Sequence, residues 1–364
     1  MPALSPQITV ALDMAGCPNR CRHCWLGHTP NRRLSEQTLR QTVAQFRAYR
    51  RLGQQEPYFQ QLCVATWYRE PDFAPHYRRL WELEQALSDE GAARRFELLS
   101  VWRLARDERY APWARQIGTE VCQISFFGLE ESTDWFCQRK GAFRDSLLAT
   151  ERLIEAGIRP RWQLFLTERL LPELDAVQAL IDELDLERRV SALHPDRAPF
   201  EVFLHGVCPD GAGFEIEHLR PTVDALDALP EALARKTCAH QHVNDLVQCL
   251  GKAEADWLPE LLQEGAPLAE WPPVTAFMVT PELDVYSNLG EPTPAWRLGN
   301  LQAQPLADIL DRYEHDAVPG LQAMFHVPIS ELAAAYGRPD SRLLYERDDL
   351  IIRWIKLWTL DHGS

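Results

Sequence analysis

Three cysteines near the N-terminus are the residues of this sequence best suited to chemistry. Cys17, Cys21 and Cys24 lie in GCPNRCRHCWLGH and form the pattern C-x3-C-x2-C, after an apolar run and before an amphipathic one. Iron-sulfur clusters are normally held by four cysteine thiolates. A close group of three, with no fourth nearby, therefore predicts a cubane with one iron that the protein does not ligate, and that open iron is where chemistry can occur.

Two other interpretations of the cysteines remain open. A zinc site would need a fourth ligand, which His23 or His28 could supply. The three cysteines could also be buried structural residues. We favour the iron-sulfur interpretation because a structural zinc site seldom opens a long series of βα units, and a chance grouping of three cysteines is rarer still.

The composition is that of a globular protein. The chain has 364 residues, 46% of them hydrophobic and 25% charged, which suits one large domain and a smaller one. No secretory signal and no long apolar run are present, so we expect a cytoplasmic protein without a membrane span. Nine cysteines in such a chain indicate reduced thiols or metal ligands. The net charge of -15 opposes binding to nucleic acid or an anionic membrane. It could favour a cationic substrate, although solubility explains it more simply.

The elements that must position the cysteines alternate between strands and helices. The strand predictions are Gln7 to Leu12, Leu62 to Trp67, Phe96 to Trp102, Val121 to Phe127, Arg161 to Thr167 and Glu201 to Val207. The helix predictions between them are Ser35 to Tyr49, Tyr77 to Asp89, Phe143 to Ala156 and Leu171 to Leu184. This order predicts an α/β fold, a partial (β/α)6 TIM-like barrel with ligands at the C-terminal ends of its strands.

The pattern changes in the second half of the chain. We predict a barrel domain over residues 1–225 and a smaller α+β domain over residues 226–364. In the smaller domain, Val274 to Val279 and Leu283 to Ser287 predict a β-hairpin. Helices are predicted after it, at Pro305 to Tyr313, Ser330 to Tyr336 and Asp348 to Leu360.

The cysteine pattern after a first strand resembles the radical S-adenosylmethionine (SAM) superfamily. The resemblance implies that Cys17, Cys21 and Cys24 hold a [4Fe-4S] cluster and that the amino and carboxylate groups of SAM chelate its fourth iron. It also implies reductive cleavage of SAM to methionine and a 5'-deoxyadenosyl radical. A low-potential reductant such as flavodoxin or ferredoxin is the implied partner.

Further segments resemble the SAM-binding parts of that superfamily. The second predicted strand leads into YREP, where the family has Gly-Gly-Glu-Pro, so Glu70 is the implied contact of the SAM amino group although both glycines are replaced. By the same resemblance, Ser125 and Arg139 would touch the ribose or carboxylate of SAM.

The resemblance also implies neighbours for the adenosyl group. His23 stands where the family commonly has an aromatic residue beside the adenine, and Trp25 follows the last cysteine. Phe165 and Thr167, on the fifth predicted strand, are implied adenine or ribose neighbours, with core packing as the alternative for the phenylalanine.

The C-terminal part resembles a degenerate SPASM or twitch domain. The hairpin and the RLGNL segment, Arg297 to Leu301, carry this resemblance. Such domains usually have a cysteine just after the second hairpin strand, where this chain has Ser287 and Asn288, and no cysteine follows. A complete auxiliary cluster is therefore not expected.

Other polar residues are candidates for contact with the substrate. His205, at the end of the sixth predicted strand, is placed to face it. Cys238 and Cys249, with His240 and His242 between them, could bind a metal or present a thiol, although helical cysteines are usually core residues. If the reaction is an epimerisation, Cys122, Cys137, Cys208, Cys238 and Cys249 are the candidate hydrogen-atom donors.

These observations predict an enzyme in which the adenosyl radical abstracts hydrogen from a small molecule in natural-product biosynthesis. The reaction could be an epimerisation, a dehydration, an oxidation or a bond formation, because function within a fold depends on the site. Two alternatives stay open: a maturase that modifies a peptide, and an iron-sulfur redox sensor without SAM chemistry.

Overall fold

The computed structural model describes residues 4–14, 16–66, 69–90, 97–193, 199–269 and 274–363. The strands are β1 (Gln7–Leu12), β2 (Gln61–Ala65), β3 (Val121–Phe126), β4 (Arg159–Phe165), β5 (Glu201–His205), β6 (Lys252–Ala253), β7 (Thr275–Val279), β8 (Asp284–Tyr286), β9 (Arg297–Asn300) and β10 (Leu344–Tyr345). The helices of the first part are α1 (Glu36–Ala48), α2 (Tyr77–Leu87), α3 (Val101–Leu104), α4 (Tyr110–Gln116), α5 (Glu130–Cys137), α6 (Ala142–Glu155), α7 (Leu174–Glu183), α8 (Leu186–Leu193) and α9 (Ala212–Glu215). Those of the second part are α10 (Glu231–Gln241), α11 (Leu246–Leu250), α12 (Glu254–Leu261), α13 (Leu306–Glu314), α14 (Pro319–Phe325), α15 (Ile329–Tyr336) and α16 (Arg347–His362).

Parallel strands form two sheets at the centre of the fold. In one sheet the order is β3-β4-β5, and all neighbours are parallel. In the other the order is β2-β1-β7-β8-β9, where β1 pairs in parallel with β2 and with β7. A short antiparallel pair joins β6 to β10. Because helices connect the parallel strands, the C-terminal ends of β1 and β2, and likewise those of β3, β4 and β5, lie on one side of their sheet.

Five of the six predicted barrel strands are present, with bounds that differ by up to two residues from the prediction. The third prediction, Phe96 to Trp102, is wrong for its described residues. Ser100 caps a helical turn there, because its Oγ accepts a hydrogen bond from the Arg103 backbone nitrogen at 3.1 Å. Glu97 still lies beside β3, since its carbonyl oxygen accepts a hydrogen bond from the backbone nitrogen of Gln123 at 2.6 Å. Phe96 and Trp67, at the ends of two predictions, lie outside the described residues.

The predicted hairpin and the three predicted C-terminal helices are confirmed by β7 and β8 and by α13, α15 and α16. The hairpin extends the sheet of β1, where Leu12 is in register with Val279. Strands from both sides of residue 226 therefore share one sheet. The division into two domains remains a prediction.

Packing of apolar stripes explains why these helices form. In α1, Ser35 accepts a hydrogen bond from the Thr38 backbone nitrogen at the N-cap, and Leu39, Val43 and Phe46 form a buried stripe at helical spacing. Phe46 is fully buried against β1 and β7, and its truncation to alanine would cost about 3–5 kcal/mol. A separate core surrounds β3, β4 and β5. Within the described ranges, no helix has the length and apolar character that crossing a membrane requires.

Candidate active site

The cysteine loop, residues 16–31, follows β1 and carries Cys17, Cys21 and Cys24. Asn31 closes this loop on itself. Its side-chain oxygen accepts a hydrogen bond from the Cys17 backbone nitrogen at 3.0 Å, and its amide nitrogen donates one to the Cys17 carbonyl oxygen at 2.8 Å. Both backbone polar groups of the first cysteine are therefore fixed by one side chain.

The C-terminal end of α5 supports the middle of the cysteine loop. The backbone nitrogens of Arg20 and Arg22 donate hydrogen bonds to the carbonyl oxygens of Cys137 and Phe136, at 3.3 and 2.8 Å. These carbonyls belong to the last helical turn, which has no helical partners for them. The loop therefore supplies hydrogen-bond donors to the last carbonyl groups of α5, and these bonds in turn fix the position of the loop.

The segment after β5 supports the last cysteine. The backbone nitrogen of Ala212 donates a hydrogen bond to the Cys24 carbonyl oxygen at 3.0 Å. Gly211 has a φ of +54°, and a Cβ there would lie 2.5 Å from the carbonyl oxygen of Trp25. Only glycine permits both this conformation and this close approach. Chain segments from β1, α5 and β5 thus meet at the cysteine loop.

The thiols of the cysteine loop favour their protonated form. Burial, followed by the nearby Glu70 carboxylate, raises the pKa of Cys17 to about 12, and burial raises that of Cys24. The pKa of Cys21 is also raised, first by a hydrogen bond with the Cys137 thiol and then by burial. Because only thiolates ligate metals, metal binding here would release protons.

The three thiols of the loop are donors of the type that an iron-sulfur cluster requires, although they are not arranged as a preformed site. The charges of Cys17 and Cys24 both act on the pKa of Cys21, so the three thiols are close enough to interact. They do not converge on one point, and the described residues contain no preformed group of three metal-binding side chains. Cys21 would have to exchange its contact with Cys137 for a cluster iron.

Glu70 lies beside this loop. Its backbone nitrogen donates a hydrogen bond to the Gly16 carbonyl oxygen at 3.2 Å. Its carboxylate accepts hydrogen bonds from the Ser100 hydroxyl at 2.8 Å and from the Trp102 backbone nitrogen at 3.5 Å. Burial nevertheless raises the pKa of Glu70 to about 7. The carboxyl group is therefore poised to become ionised when a cation binds next to it.

His23 turns inward from the cysteine loop. Its ring centroid lies 4.4 Å from that of Phe127 and 4.7 Å from that of Phe165. Its Nδ1 atom is buried and has no hydrogen-bond partner within the described part of the chain. Burial, with a smaller effect of His28, lowers the pKa of His23 to about 3. The imidazole is therefore neutral, and its ring is available for stacking. Trp25, in contrast, is 45% exposed.

The other predicted SAM contacts are already engaged with protein groups. Arg139 donates a hydrogen bond to the Asn19 side-chain oxygen in the cysteine loop at 2.6 Å, and it pairs with Asp145 at 2.5 Å. The Ser125 hydroxyl donates to the Gln163 side-chain oxygen at 3.2 Å. Thr167 is buried and accepts a hydrogen bond from the Leu170 backbone nitrogen at 3.2 Å. Of these residues, Arg139 contacts the cysteine loop directly.

His205, at the end of β5, is on the same side of the fold as His23. The ring of Phe165 lies between them, 5.9 Å from His205. The His205 Nδ1 atom is 2.9 Å from the Glu346 carboxylate. Burial lowers the pKa of His205, but the hydrogen bond and charge of Glu346 outweigh it, so the net shift is upward. The imidazole can therefore carry a proton near neutral pH.

Cys238 and Cys249 lie apart from the cysteine loop, on α10 and α11. Their sulfur atoms are 3.5 Å apart. Both helices pack against the core around β5, where the Leu204 backbone nitrogen donates a hydrogen bond to Thr237 Oγ1 at 3.0 Å. The structure therefore brings the two cysteines to each other and away from the other candidate residues.

The remaining candidate hydrogen-atom donors differ in position. Cys122 is fully buried within β3, and Cys137 contacts Cys21. Cys208, which follows β5, is partly exposed, and burial followed by the charge of Asp349 raises its pKa to about 12.

Sequence reasoning missed the residue that buttresses the cysteine loop. Arg69 donates hydrogen bonds to the carbonyl oxygens of Thr29 and Pro30, at 2.7 and 3.3 Å. It also lies 3.6 Å from the Asp13 carboxylate, with both side chains at most 6% exposed. The arginine that interrupts the glycine pattern of YREP is thus a structural support. No local pattern signals this, because its partners lie about 40 residues away.

A second support that the sequence did not indicate comes from α16. Lys356 pairs with Asp210 at 3.1 Å and with Glu291 at 3.0 Å. Glu291 packs against the cysteine loop, where a Cβ at Gly27 would lie 2.6 Å from its side chain. This ion pair network therefore fastens the C-terminal helix to the end of the loop.

Comparisons with known proteins bear on the fold. No protein-family model and no curated protein matches the sequence. By structure, the chain is similar to native anSMEcpe with bound AdoMet, with a TM-score of 0.50 and 13% identity over 98% of each chain. The form of that protein with bound AdoMet and Cp18Cys peptide gives a TM-score of 0.51 and 12% identity over 98% of this chain and 97% of that chain. SuiB of Streptococcus suis bound to precursor peptide SuiA gives 0.41 and 12% identity over 85% and 65%.

The likeness to anSMEcpe spans both parts of the chain and shows its fold. The predicted fold class, a mixed α/β partial barrel with a C-terminal α+β part, is confirmed.

Proposed function

We propose that this chain is a radical SAM enzyme that holds a [4Fe-4S] cluster through Cys17, Cys21 and Cys24. One observation carries the proposal: the three cysteines occupy a single loop at the C-terminal end of β1, in a fold similar to that of a protein with bound AdoMet. When bound, the cluster supplies the electron that cleaves SAM into methionine and a 5'-deoxyadenosyl radical. Flavodoxin or ferredoxin is the class of reductant proposed to deliver that electron.

In this proposal Glu70 binds the SAM amino group. Its pKa of about 7 keeps part of the population protonated at neutral pH, and a neighbouring ammonium group would favour the ionised form. Arg139 lies within electrostatic reach of Glu70 and lowers its pKa. Because Arg139 also bonds Asn19, its proposed role near the SAM carboxylate would couple SAM binding to the position of the cysteine loop.

The adenosyl group is proposed to bind along a row of aromatic rings. His23 offers a neutral ring for adenine, with Phe165 behind it. Trp25 would cover the exposed side, and Ser125 and Thr167 would contact the ribose. Stacking of a base on an aromatic ring is worth about 1–3 kcal/mol, so loss of the His23 ring should weaken SAM binding by up to that amount.

His205 is the proposed substrate-facing group. With a proton on Nδ1 held by Glu346, the Nε2 atom is the one presented to a substrate. The substrate is proposed to be a small molecule in natural-product biosynthesis. Modification of a peptide is an equal candidate, since the similar fold of anSMEcpe was solved with a bound Cp18Cys peptide. Cys238 and Cys249 are the weaker catalytic candidates because they lie apart from the cysteine loop.

The first test is anaerobic. Wild type and a Cys17→Ala, Cys21→Ala, Cys24→Ala variant are reconstituted with iron and sulfide, mixed with SAM and dithionite, and assayed for 5'-deoxyadenosine by mass spectrometry. Cys63→Ala, which changes a partly exposed cysteine of β2 outside the loop, is the matched control. Product from wild type and control, with none from the triple variant, is the expected result. Product from the triple variant, or its loss in the control, would contradict the assignment.

Electron paramagnetic resonance separates the enzyme from a redox sensor. SAM should change the spectrum of the reduced cluster if it chelates the open iron. An unchanged spectrum, together with no 5'-deoxyadenosine from iron-loaded wild type, would refute the enzymatic proposal. Stimulation of SAM cleavage by a peptide, but not by small amines, would favour the peptide candidate.

A further inference from the structure

A cleft opens beside the cysteine loop, between residues 29–32 and the turn that joins β7 to β8. Its volume is about 130 Å³. Asp13, Thr29 and Thr280 form one polar wall, and Met278, Tyr286 and Pro292 supply apolar surface. The charged residues Arg32, Glu282 and Asp284 also line the cleft. The cleft therefore offers both polar and apolar contacts. Asp13, in its wall, precedes Cys17 by four residues in the sequence.

The polar wall contains an unusual group of unpaired atoms. Asp13 Oδ1, Thr29 Oγ1 and Thr280 Oγ1 are all buried and have no hydrogen-bond partner among the residues that the structure describes. Asp13 as a whole is only 3% exposed. Buried polar side chains are nearly always hydrogen-bonded, so three unpaired oxygens on one wall indicate that something binds there.

The size of the cleft argues against one structural water as its occupant. A cavity of about 10–15 Å³ suffices for a water molecule, and this cleft is roughly ten times larger. One water would also leave the apolar surface of Met278, Tyr286 and Pro292 without contacts. An organic group of several atoms suits both the volume and the mixed lining.

The charge of the wall indicates the sign of that group. Among the described residues, the Asp13 carboxylate forms an ion pair with Arg69 at 3.6 Å, and Arg69 already donates hydrogen bonds to the carbonyl oxygens of Thr29 and Pro30. A backbone hydrogen bond from Gly16 and the charge of Arg33 add smaller stabilising effects. Burial raises the pKa of Asp13, which reflects this incomplete compensation. At the rim, Glu282 and Arg32 are both exposed and pair with each other at 3.2 Å, so this pair adds no net charge to the cleft. A cationic guest would complete the pairing of Asp13.

The hydrogen-bonding capacity of the wall indicates the chemical type. A carboxylate oxygen and two hydroxyl oxygens can all accept hydrogen bonds, and an ammonium group has three donors and no acceptor. The carbon skeleton of a primary amine would then contact the apolar residues of the cleft. A guanidinium or a carboxylate would match this wall less well, because the first is a planar fork and the second repels Asp13.

We propose that this cleft binds the protonated primary amine of a ligand with an apolar body. The assignment of that amine to the substrate rests on the function proposed above, whereas amine binding itself does not. The same ammonium group could come from a small-molecule amine or from the N-terminus of a peptide. Both sources are compared in the test.

The test measures binding by isothermal titration calorimetry to the full-length, anaerobically reconstituted protein. The probes are benzylamine, which is protonated at neutral pH, and benzyl alcohol, which has a similar shape without the charge. Wild type should bind the amine at least about tenfold more tightly than the alcohol, since a charged hydrogen-bonded pair is worth about 1.5–3 kcal/mol. A tripeptide with a free N-terminus and its N-acetylated form make the peptide comparison.

Two variants separate the polar wall from the rim. Asp13→Asn should weaken benzylamine binding at least about tenfold and leave benzyl alcohol unchanged. Glu282→Gln, which changes an exposed rim carboxylate of the same cleft, is the matched control and should keep wild-type affinity. Equal binding of amine and alcohol, or an Asp13→Asn variant with wild-type amine affinity, would overturn the proposal.

A further variant covers the case in which Asp13→Asn fails to fold. Thr280→Val leaves Asp13 and its arginine in place and should weaken amine binding severalfold, because one acceptor is lost. Unaltered affinity in Thr280→Val would also count against the cleft. Calorimetry needs no SAM cleavage, so the two proposals can fail separately. Amine binding with no 5'-deoxyadenosine and an unchanged cluster spectrum would refute the radical SAM proposal alone, and cleavage without amine binding would refute the cleft alone.

Discussion

The carboxyl group of Glu70 should make the stability of the protein depend on pH. Burial raises its pKa from 4.5 to about 7, against the opposing effect of the hydrogen bond from Ser100. A raised carboxyl pKa means that the folded chain holds its proton more tightly than the unfolded chain. The contribution of Glu70 to stability is therefore fully present below pH 4.5 and is lost as the pH rises through about 7.

The magnitude follows from the two pKa values. Proton linkage gives a loss of about 2.5 kcal/mol between roughly pH 5 and pH 8 from this one group. Glu70→Gln removes the titration but keeps an oxygen that can accept the Ser100 hydrogen bond. The stability of the variant relative to wild type should therefore rise by about the same amount over this pH range.

Urea unfolding of the cluster-free protein, followed by circular dichroism across that range, measures the difference. Glu56→Gln, which changes an exposed glutamate, is the control and should follow the wild-type pH dependence. The reasoning would be refuted by a Glu70→Gln variant whose stability runs parallel to wild type, or by one that loses stability relative to wild type as the pH rises.

Three further perturbations have defined outcomes. Asn31→Ala should lower iron retention under chelator challenge roughly 30-fold, because two hydrogen bonds to the loop backbone are lost, each worth about 1 kcal/mol. Unchanged iron content would contradict this. Oxidised glutathione should join Cys238 to Cys249, whose sulfurs are 3.5 Å apart, and peptide mass mapping without reductant would detect the disulfide or its absence. Glu346→Gln should lower the pKa of His205 in an NMR titration, since burial then acts on the imidazole without a compensating carboxylate. A constant pKa would exclude the pairing.

The barrel strands could be predicted because each combines a short apolar run with flanking turn residues. All seven residues of β4 are buried, and β1 was predicted with its observed bounds. The prediction of the third strand, Phe96 to Trp102, was wrong for a local reason. Ser100 and the apolar residues around it suit a strand by composition, but the serine hydroxyl caps a helical turn and also bonds Glu70. Side-chain capping of this kind competes with strand pairing and leaves little trace in hydrophobic periodicity.

The proposed cluster ligands could be predicted from the sequence, whereas the residues that hold their loop in place could not. Cysteine spacing is local, so Cys17, Cys21 and Cys24 can be recognised from a few letters of sequence. The contacts that fix their loop are not local: Arg139 reaches Asn19 across 120 positions. Such contacts depend on how β3, α5 and β5 pack, which a single sequence does not encode as a pattern.

Arg69 contacts both the cysteine loop and Asp13 in the wall of the cleft. A glycine at this position would permit close backbone approach, as the resemblance to Gly-Gly-Glu-Pro implies, but it would leave the carbonyl oxygens of Thr29 and Pro30 without their donor. It would also leave Asp13 buried without its close cation, which is costly for an ionised carboxylate. The arginine therefore stabilises the end of the cysteine loop and the buried charge together. Since Arg69 shares its donors between these tasks, Asp13 keeps one oxygen unpaired, and the cleft beside the cysteine loop retains a negative wall for a cationic ligand.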